Sequence, residues 1–295
     1  MRRFNFKWTA AFAVWFLATV AIVATNLYYS IPSPEVIKGC LVTRMNQVEL
    51  CPKNGKYVPL SQISPHLRNA ILVSEDTGFY HHNGFEFAEL KESVRVNLAR
   101  GAFARGGSTI TQQLARNLFL SSEKSLLRKA KEALITYKLE ETLTKNEIFE
   151  RYLNVVEFGK DIYGIGAAAR HYFQKSPTEL SVLESAYLAF LLPSPVKYSA
   201  SYHKGSLTKF GFQRIHQILF RLASYQHISG EDYESAKTMV KYFPWKGNEM
   251  TFVAGSDDED GSGEEGEEDL TLEEVAEDLG VDLTTPLGAG DPEEI

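Results

Sequence analysis

The sequence predicts a mostly α-helical domain that follows a single N-terminal transmembrane helix. Three observations support this fold class: one long uncharged segment near the N-terminus, several capping motifs followed by helical periodicity, and little of the apolar and polar alternation that strands show. A chain of 295 residues is long enough for one substantial domain with its own buried core, plus appendages.

A transmembrane helix is predicted over residues 8–27. This run of twenty residues has no charged side chain, and as a helix rising about 1.5 Å per residue it spans the roughly 30 Å hydrocarbon core of a bilayer. Because Arg2, Arg3 and Lys7 precede the run, the positive-inside rule places the N-terminus in the cytoplasm and the rest of the chain outside. A cleaved signal peptide is the alternative, but the run is long for one and the bulky residues 26–29 do not resemble a cleavage site.

The charged residues are unevenly distributed along the chain. Of the 38 acidic residues, 17 lie from Ser256 onward, where there is no Lys or Arg, so the preceding body has a charge of about +10 although the whole chain has −7. A basic body suits an anionic partner such as phosphate, a lipid headgroup or nucleic acid. The predicted topology places this body outside the membrane, which excludes nucleic acid.

The chain is predicted to have four segments. These are a cytoplasmic stub with the anchor over 1–30, a linker over 31–59, the main domain over 60–245 and an acidic tail over 246–295. The linker contains the only two cysteines, Cys40 and Cys51, which are expected to form a disulfide on the oxidising side of a membrane; two unpaired thiols are the alternative. The tail is expected to be disordered and solvated, or alternatively to dock on a basic partner or on this chain's own basic body.

A polar cluster is predicted at the end of the first helix of the domain. Ser64 and Pro65 form a helix start, with a capping side chain and a proline at the first position, and the apolar face that follows carries the helix to Glu75. The negative end of the helix macrodipole disfavours the ionised form of a carboxylate, which favours a general base that works near neutral pH. The alternative is an ordinary polar helix end with a solvated loop.

A second polar cluster begins at the glycine pair Gly106 and Gly107. Thr109 and Gln112 fit a capping box, which predicts a helix start, and the N–H groups of such a start can bind an anion such as phosphate. The same turn presents neutral side chains that suit sugar hydroxyls: Ser108, Gln112 and Gln113. The basic amphipathic segment 85–103 is expected either to lie on the bilayer surface or to be a core-facing helix and loop.

Cations are concentrated around the helix predicted over 126–143. Arg128 and Glu132 are four residues apart and share a face, so the carboxylate can hold the guanidinium in place. The alternative is an ordinary surface salt bridge. A further capping box, Thr144 with Glu147, predicts the next helix. The spacing of the seven histidines does not predict a metal site.

Four motifs, in this order, resemble those of the peptidoglycan glycosyltransferases of family 51. They are Glu75-Asp76-x-x-Phe79-x-x-His82-x-Gly84, Gly106-Gly107-Ser108-Thr109-Ile110-Thr111-Gln112-Gln113, Arg128-Lys129-x-x-Glu132 and Ile148-Phe149-Glu150-x-Tyr152-Leu153-Asn154. The resemblance covers roughly residues 60–200 and extends more loosely to about 240. Because no penicillin-binding transpeptidase domain is expected after it, the sequence resembles the monofunctional, membrane-anchored form.

The resemblance implies a lysozyme-like, two-lobed helical fold and the polymerisation of lipid II into peptidoglycan strands, with inversion at the anomeric carbon and release of undecaprenyl pyrophosphate. It implies Glu75 as the general base and Glu132 as the second catalytic carboxylate. The implied substrate-binding residues are Ser108, Gln112, Gln113, Arg116, Asn117, Lys124, Arg128 and Lys129. The implied supporting residues are Asp76, Phe79, His82 and Gly84.

The resemblance also implies where the protein works and with what. The expected location is the bacterial inner membrane, with the domain on the periplasmic side. The expected partners are lipid II, the lipid-linked glycan strand and the membrane, together with other cell-wall synthesis proteins that bind the acidic tail. No cofactor is expected to be required, and a divalent cation is left open.

Two residues depart from the family pattern. The family usually has Asp where this chain has Glu86, and Lys where it has Arg116. Arg116 keeps the charge and can bind phosphate through two donors, whereas Glu86 bears on the geometry of the loop after Glu75. A lysozyme-like lytic enzyme and a non-catalytic scaffold are the rival functions. A lytic enzyme needs no cation cluster for a pyrophosphate, and a scaffold needs neither Glu75 nor Glu132.

Overall fold

The computed structural model describes residues 6–53, 55–86, 107–123 and 125–245, with the backbone alone for 6–11 and 13. The chain divides into two compact units. The first contains the described residues of 1–63, 75–157 and 162–167, and the second contains those of 64–74, 158–161 and 168–295. Helices dominate both units, which confirms the mostly α fold class and is consistent with the lysozyme-like fold that the resemblance implies.

The N-terminal helix, α1, spans Phe6–Tyr29. By length and composition, one stretch of the described residues, Val14–Lys38, is long and apolar enough to cross a membrane, and the large apolar side chains between Val14 and Val23 are exposed. This stretch runs beyond Tyr29, but Ser33 caps a separate short helix there, α2 over Pro34–Lys38. We therefore take α1 as the membrane helix, in agreement with the predicted single anchor.

A small disulfide-closed hairpin follows α2. Its strands are β1 (Leu41–Val42) and β2 (Glu49–Leu50), which pair antiparallel with Leu41 opposite Leu50. Cys40 and Cys51 flank the strands and form a disulfide, as predicted. This hairpin lies in the segment that the sequence assigns to a linker, and the N–H of its Arg44 donates to the carbonyl of Leu118 at 2.9 Å.

Four helices place the polar clusters of the first unit. They are α3 (Pro65–Glu75), of which only Glu75 belongs to this unit, α4 (Ile110–Phe119), α5 (Leu126–Thr142) and α6 (Lys145–Val155). Helix α3 begins after Ser64 as predicted, although the Ser64 hydroxyl donates to the carbonyl of Leu180. The capping boxes predicted for α4 and α6 are both present. Fully buried residues of α4, α5 and α6, such as Leu114, Ile135 and Phe149, form the core of this unit.

Glu150 and Asn154 of α6 fasten residues 57–60, which we call the clasped segment. Glu150 accepts hydrogen bonds from the Tyr57 hydroxyl at 2.7 Å and the Leu60 N–H at 2.6 Å. The Asn154 amide accepts from the Val58 N–H at 2.8 Å and donates to the Val58 carbonyl at 2.9 Å. Burial, followed by the Glu150 contact, raises the pKa of Tyr57, so its hydroxyl remains a donor. Two polar residues of the fourth motif therefore serve the fold.

Gly164 lies against the end of α6, and we expect its replacement by alanine to be strongly destabilising. Its φ is +76°, and an added Cβ would lie 2.5 Å from the Asn154 carbonyl oxygen. Gly164→Ala is expected to cost about 3 kcal/mol, because a left-handed backbone and an overlap are combined. Gly205 is the control, since its φ is +70° but no described atom lies within 4 Å of an added Cβ. Gly205→Ala is expected to cost only about 1 kcal/mol. Equal losses of thermal midpoint, measured by circular dichroism, would contradict this account.

The second unit is organised around one buried helix, α8. Besides residues 65–74 of α3, its helices are α7 (Ile165–Phe173), which begins in the first unit, α8 (Val182–Leu191), α9 (Pro195–Tyr198), α10 (Ala200–Lys204), α11 (Lys209–Ser224) and α12 (Gly230–Met239). Two short strands, β3 (Glu157–Gly159) and β4 (Ile162–Tyr163), precede α7 in the chain, and β4 belongs to the first unit. Every residue from Leu183 to Leu191 is buried, and α11 packs on α8 with Ile215, Leu219 and Leu222.

His216 of α11 makes the second unit sensitive to acid. Its Nε2 is buried with no partner among the described residues, and burial, aided by the Lys237 charge, lowers its pKa to about 4. The unfolded chain, with a pKa of about 6.5, takes up the proton first. The folded state therefore loses stability as the pH falls from about 6.5 towards 4.

We expect the unfolding free energy to fall by about 1 kcal/mol between pH 7 and pH 5 on account of His216, after allowance for its partial exposure. The variant His216→Phe should lose less over the same range, because it has no proton to bind. Thermal midpoints at the two pH values measure the difference. An unchanged pH dependence in the variant would show that His216 is not responsible.

Candidate active site

The loop after Glu75 is fixed by its neighbour, Asp76. The Asp76 carboxylate is 4% exposed; its Oδ2 accepts from the Ile110 N–H at 2.9 Å and its Oδ1 pairs with His82 Nε2 at 2.8 Å. His82 Nδ1 accepts from the Gly84 N–H at 3.0 Å, so the ring proton lies on Nε2 and is donated to Asp76. Asp76 thereby joins the end of α3 to the start of α4.

Gly84 and Phe79 complete this loop from its buried side. Gly84 has φ +83°, and its carbonyl accepts from the Thr109 hydroxyl at 2.8 Å. An added Cβ at Gly84 would lie 2.7 Å from Thr136 Cγ2, so the position has no room for a side chain. The ring of Phe79 is fully buried, with Lys145 Nζ 4.5 Å from its centroid. These contacts fix the loop from its buried side, and the supporting role expected for these residues stays a prediction.

Glu75 is held by a side chain of α4. Gln113 Nε2 donates to Glu75 Oε2 at 2.8 Å, and the Tyr152 hydroxyl donates to Gln113 Oε1 at 3.1 Å. Tyr152 is predicted only as part of the fourth motif, because no local spacing connects it with Gln113. Glu86 stands where the family usually has Asp. Its carboxylate lies against Gly78, because a Cβ added to Gly78 would be 3.1 Å from Glu86 Oε2.

A phosphate site is predicted at the N–H groups that begin α4. Three of these groups already donate to acceptors within the chain, so the prediction is wrong for them. The N–H of Thr109 donates to Gln112 Oε1 at 3.2 Å, and the N–H of Gln112 donates to Thr109 Oγ1 at 3.2 Å. The N–H of Ile110 donates to the Asp76 carboxylate. The anion at this helix start is therefore a side chain of the same chain, which leaves these groups unable to receive a phosphate.

The remaining predicted residues of α4 differ in exposure. Ser108, Gln113 and Arg116 are half-buried, whereas Gln112 and Asn117 are buried. The charge of Glu75 raises the pKa of the Tyr152 hydroxyl, and that of Arg116 lowers it, although burial has the largest effect. Gln112 uses its amide oxygen in the cap, and its role towards a substrate stays a prediction.

Two cations of α5 are paired with one buried carboxylate. Glu132 is 1% exposed; its Oε2 accepts from Arg128 Nη1 at 3.0 Å and its Oε1 contacts Lys129 Nζ. The Lys129 side chain remains half exposed, and Arg128 Nε is buried with no partner among the described residues. Glu132 thus pairs with both cations, and the three side chains together have a net charge of +1. Lys124, Gly106 and the segment 87–105 lie outside the described residues.

The arrangement in the first unit suits transfer of a group from a phosphate leaving group. It contains a carboxylate that can accept a proton and two cations, paired with the buried Glu132, that can stabilise a developing anion. Within the described ranges, no group of three or more His, Cys, Asp or Glu side chains is placed to hold a metal ion. The acidic tail from 246 onward is likewise outside the part that the structure describes.

Comparison with known proteins identifies related sequences. A family model described as Transglycosylase matches residues 42–223. A protein of Paraburkholderia xenovorans (strain LB400) is 49% identical over 150 residues, which are 51% of this chain and 62% of that protein. One of Nitrosospira multiformis is 44% identical over 169 residues, 57% of this chain and 72% of that protein. A protein of Burkholderia pseudomallei (strain K96243) is 41% identical over 196 residues, which are 63% of this chain and 76% of that protein. Each bears the name "Biosynthetic peptidoglycan transglycosylase". The match to the first spans less than two thirds of its length.

Proposed function

Because this chain belongs to the transglycosylase family, we propose that it polymerises lipid II into the glycan strands of peptidoglycan. The observation that carries the proposal is the presence, within one compact unit, of Glu75 held by a neutral amide and of the cation pair fixed by Glu132. The relatives named biosynthetic peptidoglycan transglycosylase support a reaction that builds peptidoglycan by glycosyl transfer.

In the proposed reaction the 4-hydroxyl of the acceptor's terminal GlcNAc attacks C1 of the lipid-linked MurNAc. The bond from C1 to the pyrophosphate oxygen breaks as the new bond to O4 forms, so the configuration at C1 inverts. Glu75 takes the proton of the attacking hydroxyl as general base. Undecaprenyl pyrophosphate leaves with the bonding electrons of the broken bond.

The cations are proposed to stabilise the leaving group. Arg128 and Lys129, fixed by Glu132, would meet the negative charge that develops on the pyrophosphate, and preorganised charges of this kind are strong contributors to catalysis. Arg116 and Lys124 are proposed to bind the same group. Ser108, Gln112, Gln113 and Asn117 are proposed to position sugars or phosphate.

The anchor places this chemistry at a membrane. Helix α1 suits a single-pass anchor, and the basic residues before it favour a cytoplasmic N-terminus and a periplasmic domain in a bacterial inner membrane. A lipid-linked donor then diffuses in the same bilayer as the enzyme. We propose that no cofactor is required, and that the acidic tail binds other cell-wall synthesis proteins; deleting 256–295 tests the latter by loss of that binding.

The test is incubation of the full-length, detergent-solubilised protein with labelled lipid II, followed by separation of polymer from monomer on a gel. Polymer is the expected result, both with and without a chelator of divalent cations. Finished glycan strands are offered in parallel. Cleavage of those strands without synthesis of polymer would assign the protein to the rival class of lytic enzymes.

A further inference from the structure

A chain of hydrogen bonds connects a fully buried tyrosine to the carboxylate that is proposed to act as base. The Tyr152 hydroxyl of α6 donates to Gln113 Oε1 of α4, and Gln113 Nε2 donates to Glu75 Oε2 at the end of α3. The distances are 3.1 Å and 2.8 Å. All three side chains belong to the first unit.

The direction of this chain is determined by its two ends. Tyr152 is 0% exposed, and burial, reinforced by the Glu75 charge, raises its pKa well above the ordinary value, so the hydroxyl keeps its proton. An ionised Glu75 can only accept, so Gln113 must present its NH2 group to it. Gln113 Nε2 also lies 3.5 Å from the Ser108 carbonyl, a second acceptor. The amide oxygen must then face Tyr152.

If the amide turned over, its oxygen would face the Glu75 carboxylate. That arrangement repels the ionised form of Glu75, and becomes favourable only when Glu75 is protonated and can donate. A hydrogen bond to the charged form of a carboxylate favours that form. With the amide turned over, the buried Tyr152 proton would lose this acceptor, so Tyr152 favours the orientation of Gln113 that stabilises an ionised Glu75.

We propose that Tyr152 is a positioning residue for proton transfer, acting on Glu75 through the amide of Gln113. The proposal rests on the proposed role of Glu75 as general base. Tyr152 touches no substrate in this account; it sets which end of the Gln113 amide the base meets. The other charged groups that act on the Tyr152 hydroxyl, Arg116 and Asp76, stay in place in the variants below.

The test compares Tyr152→Phe with Tyr57→Phe in the full-length protein. Each variant removes one hydroxyl from the first unit, and the Tyr57 hydroxyl donates to Glu150, which lies outside the proposed machinery. We expect Tyr152→Phe to lower kcat for lipid II polymerisation about tenfold with KM unchanged, the pattern of a lost transition-state interaction. The acid limb of its pH–rate profile should move up by roughly 0.5–1 pH unit. Tyr57→Phe should keep the wild-type kcat and profile.

A double-mutant cycle tests whether Tyr152 acts through Gln113. In a Gln113→Leu background there is no amide to orient, so adding Tyr152→Phe should lower kcat by less than about twofold. A full tenfold further loss would overturn the proposal. So would a Tyr152→Phe profile that matches the wild type.

A second readout separates this inference from the proposed function. Infrared difference spectra between each protein and its Glu75→Gln counterpart isolate the Glu75 carboxylate band, whose titration needs no substrate. Its midpoint should be higher in Tyr152→Phe than in the wild type. If the wild type makes no polymer but the Glu75 midpoint is still higher in Tyr152→Phe, the proposed function is refuted and the hydrogen-bond chain is supported. Equal midpoints in the two proteins refute the hydrogen-bond chain.

Discussion

Replacing Glu75 by glutamine is expected to lower the rate of lipid II polymerisation about 10³-fold, within the range that general bases contribute. Glutamine keeps the shape of the side chain but cannot take the proton of the attacking hydroxyl. Its amide can still meet Gln113, so we expect the fold to be retained. The rate is measured by the appearance of labelled polymer, and the thermal midpoint reports the fold.

The control for this prediction is Glu141→Gln. Glu141 lies on α5, is exposed and pairs with Lys138, so its charge is unrelated to the proposed base. Its loss should leave polymerisation within about twofold, as surface pairs contribute little. A normal rate in Glu75→Gln would remove Glu75 from the mechanism, whatever the control shows.

Replacing Glu132 by glutamine is expected to reduce both activity and stability. The change leaves Arg128 and Lys129 without their shared counter-charge at a position that is 1% exposed. Loss of one partner of a buried pair costs about 3–5 kcal/mol, and we expect about 2–3 kcal/mol here because Lys129 is half exposed. Polymerisation should fall about 10²-fold, since the cations lose their fixed positions.

Glu184→Gln separates the two effects of the Glu132 change. Glu184 is also buried, at 5% exposed, and pairs with Lys175 at 2.8 Å in the second unit. We expect a comparable fall in the thermal midpoint with polymerisation close to the wild-type rate. If Glu132→Gln loses no more activity than Glu184→Gln at equal stability, Glu132 is a fold residue and has no part in catalysis.

The features that the sequence predicted well are those set by short spacings. The capping box of Thr109 and Gln112 spans three residues, and the pair of Arg128 and Glu132 spans four, so helical geometry alone brings their atoms together. The end of α3 at Glu75 followed from the same periodicity. Local geometry is enough for such features.

Contacts between distant residues were not predictable in this way. The phosphate site expected at the start of α4 is wrong for the Ile110 N–H, because the acceptor of that group, Asp76, comes from another part of the chain. The bond between Tyr152 and Gln113 likewise depends on how α4 packs on α6. One sequence shows the residue types, but only the tertiary packing shows which donors already have acceptors.

The helix that holds the clasped segment also supports the loop after Glu75. Glu150 and Asn154 of α6 hold that segment through four hydrogen bonds. Phe149, the neighbour of Glu150, packs on Phe79 in the loop after Glu75, with ring centroids 5.7 Å apart. The chain that arrives from α1 and the loop that follows the proposed base are therefore fixed by adjacent residues of one helix, so a shift of α6 would reach both.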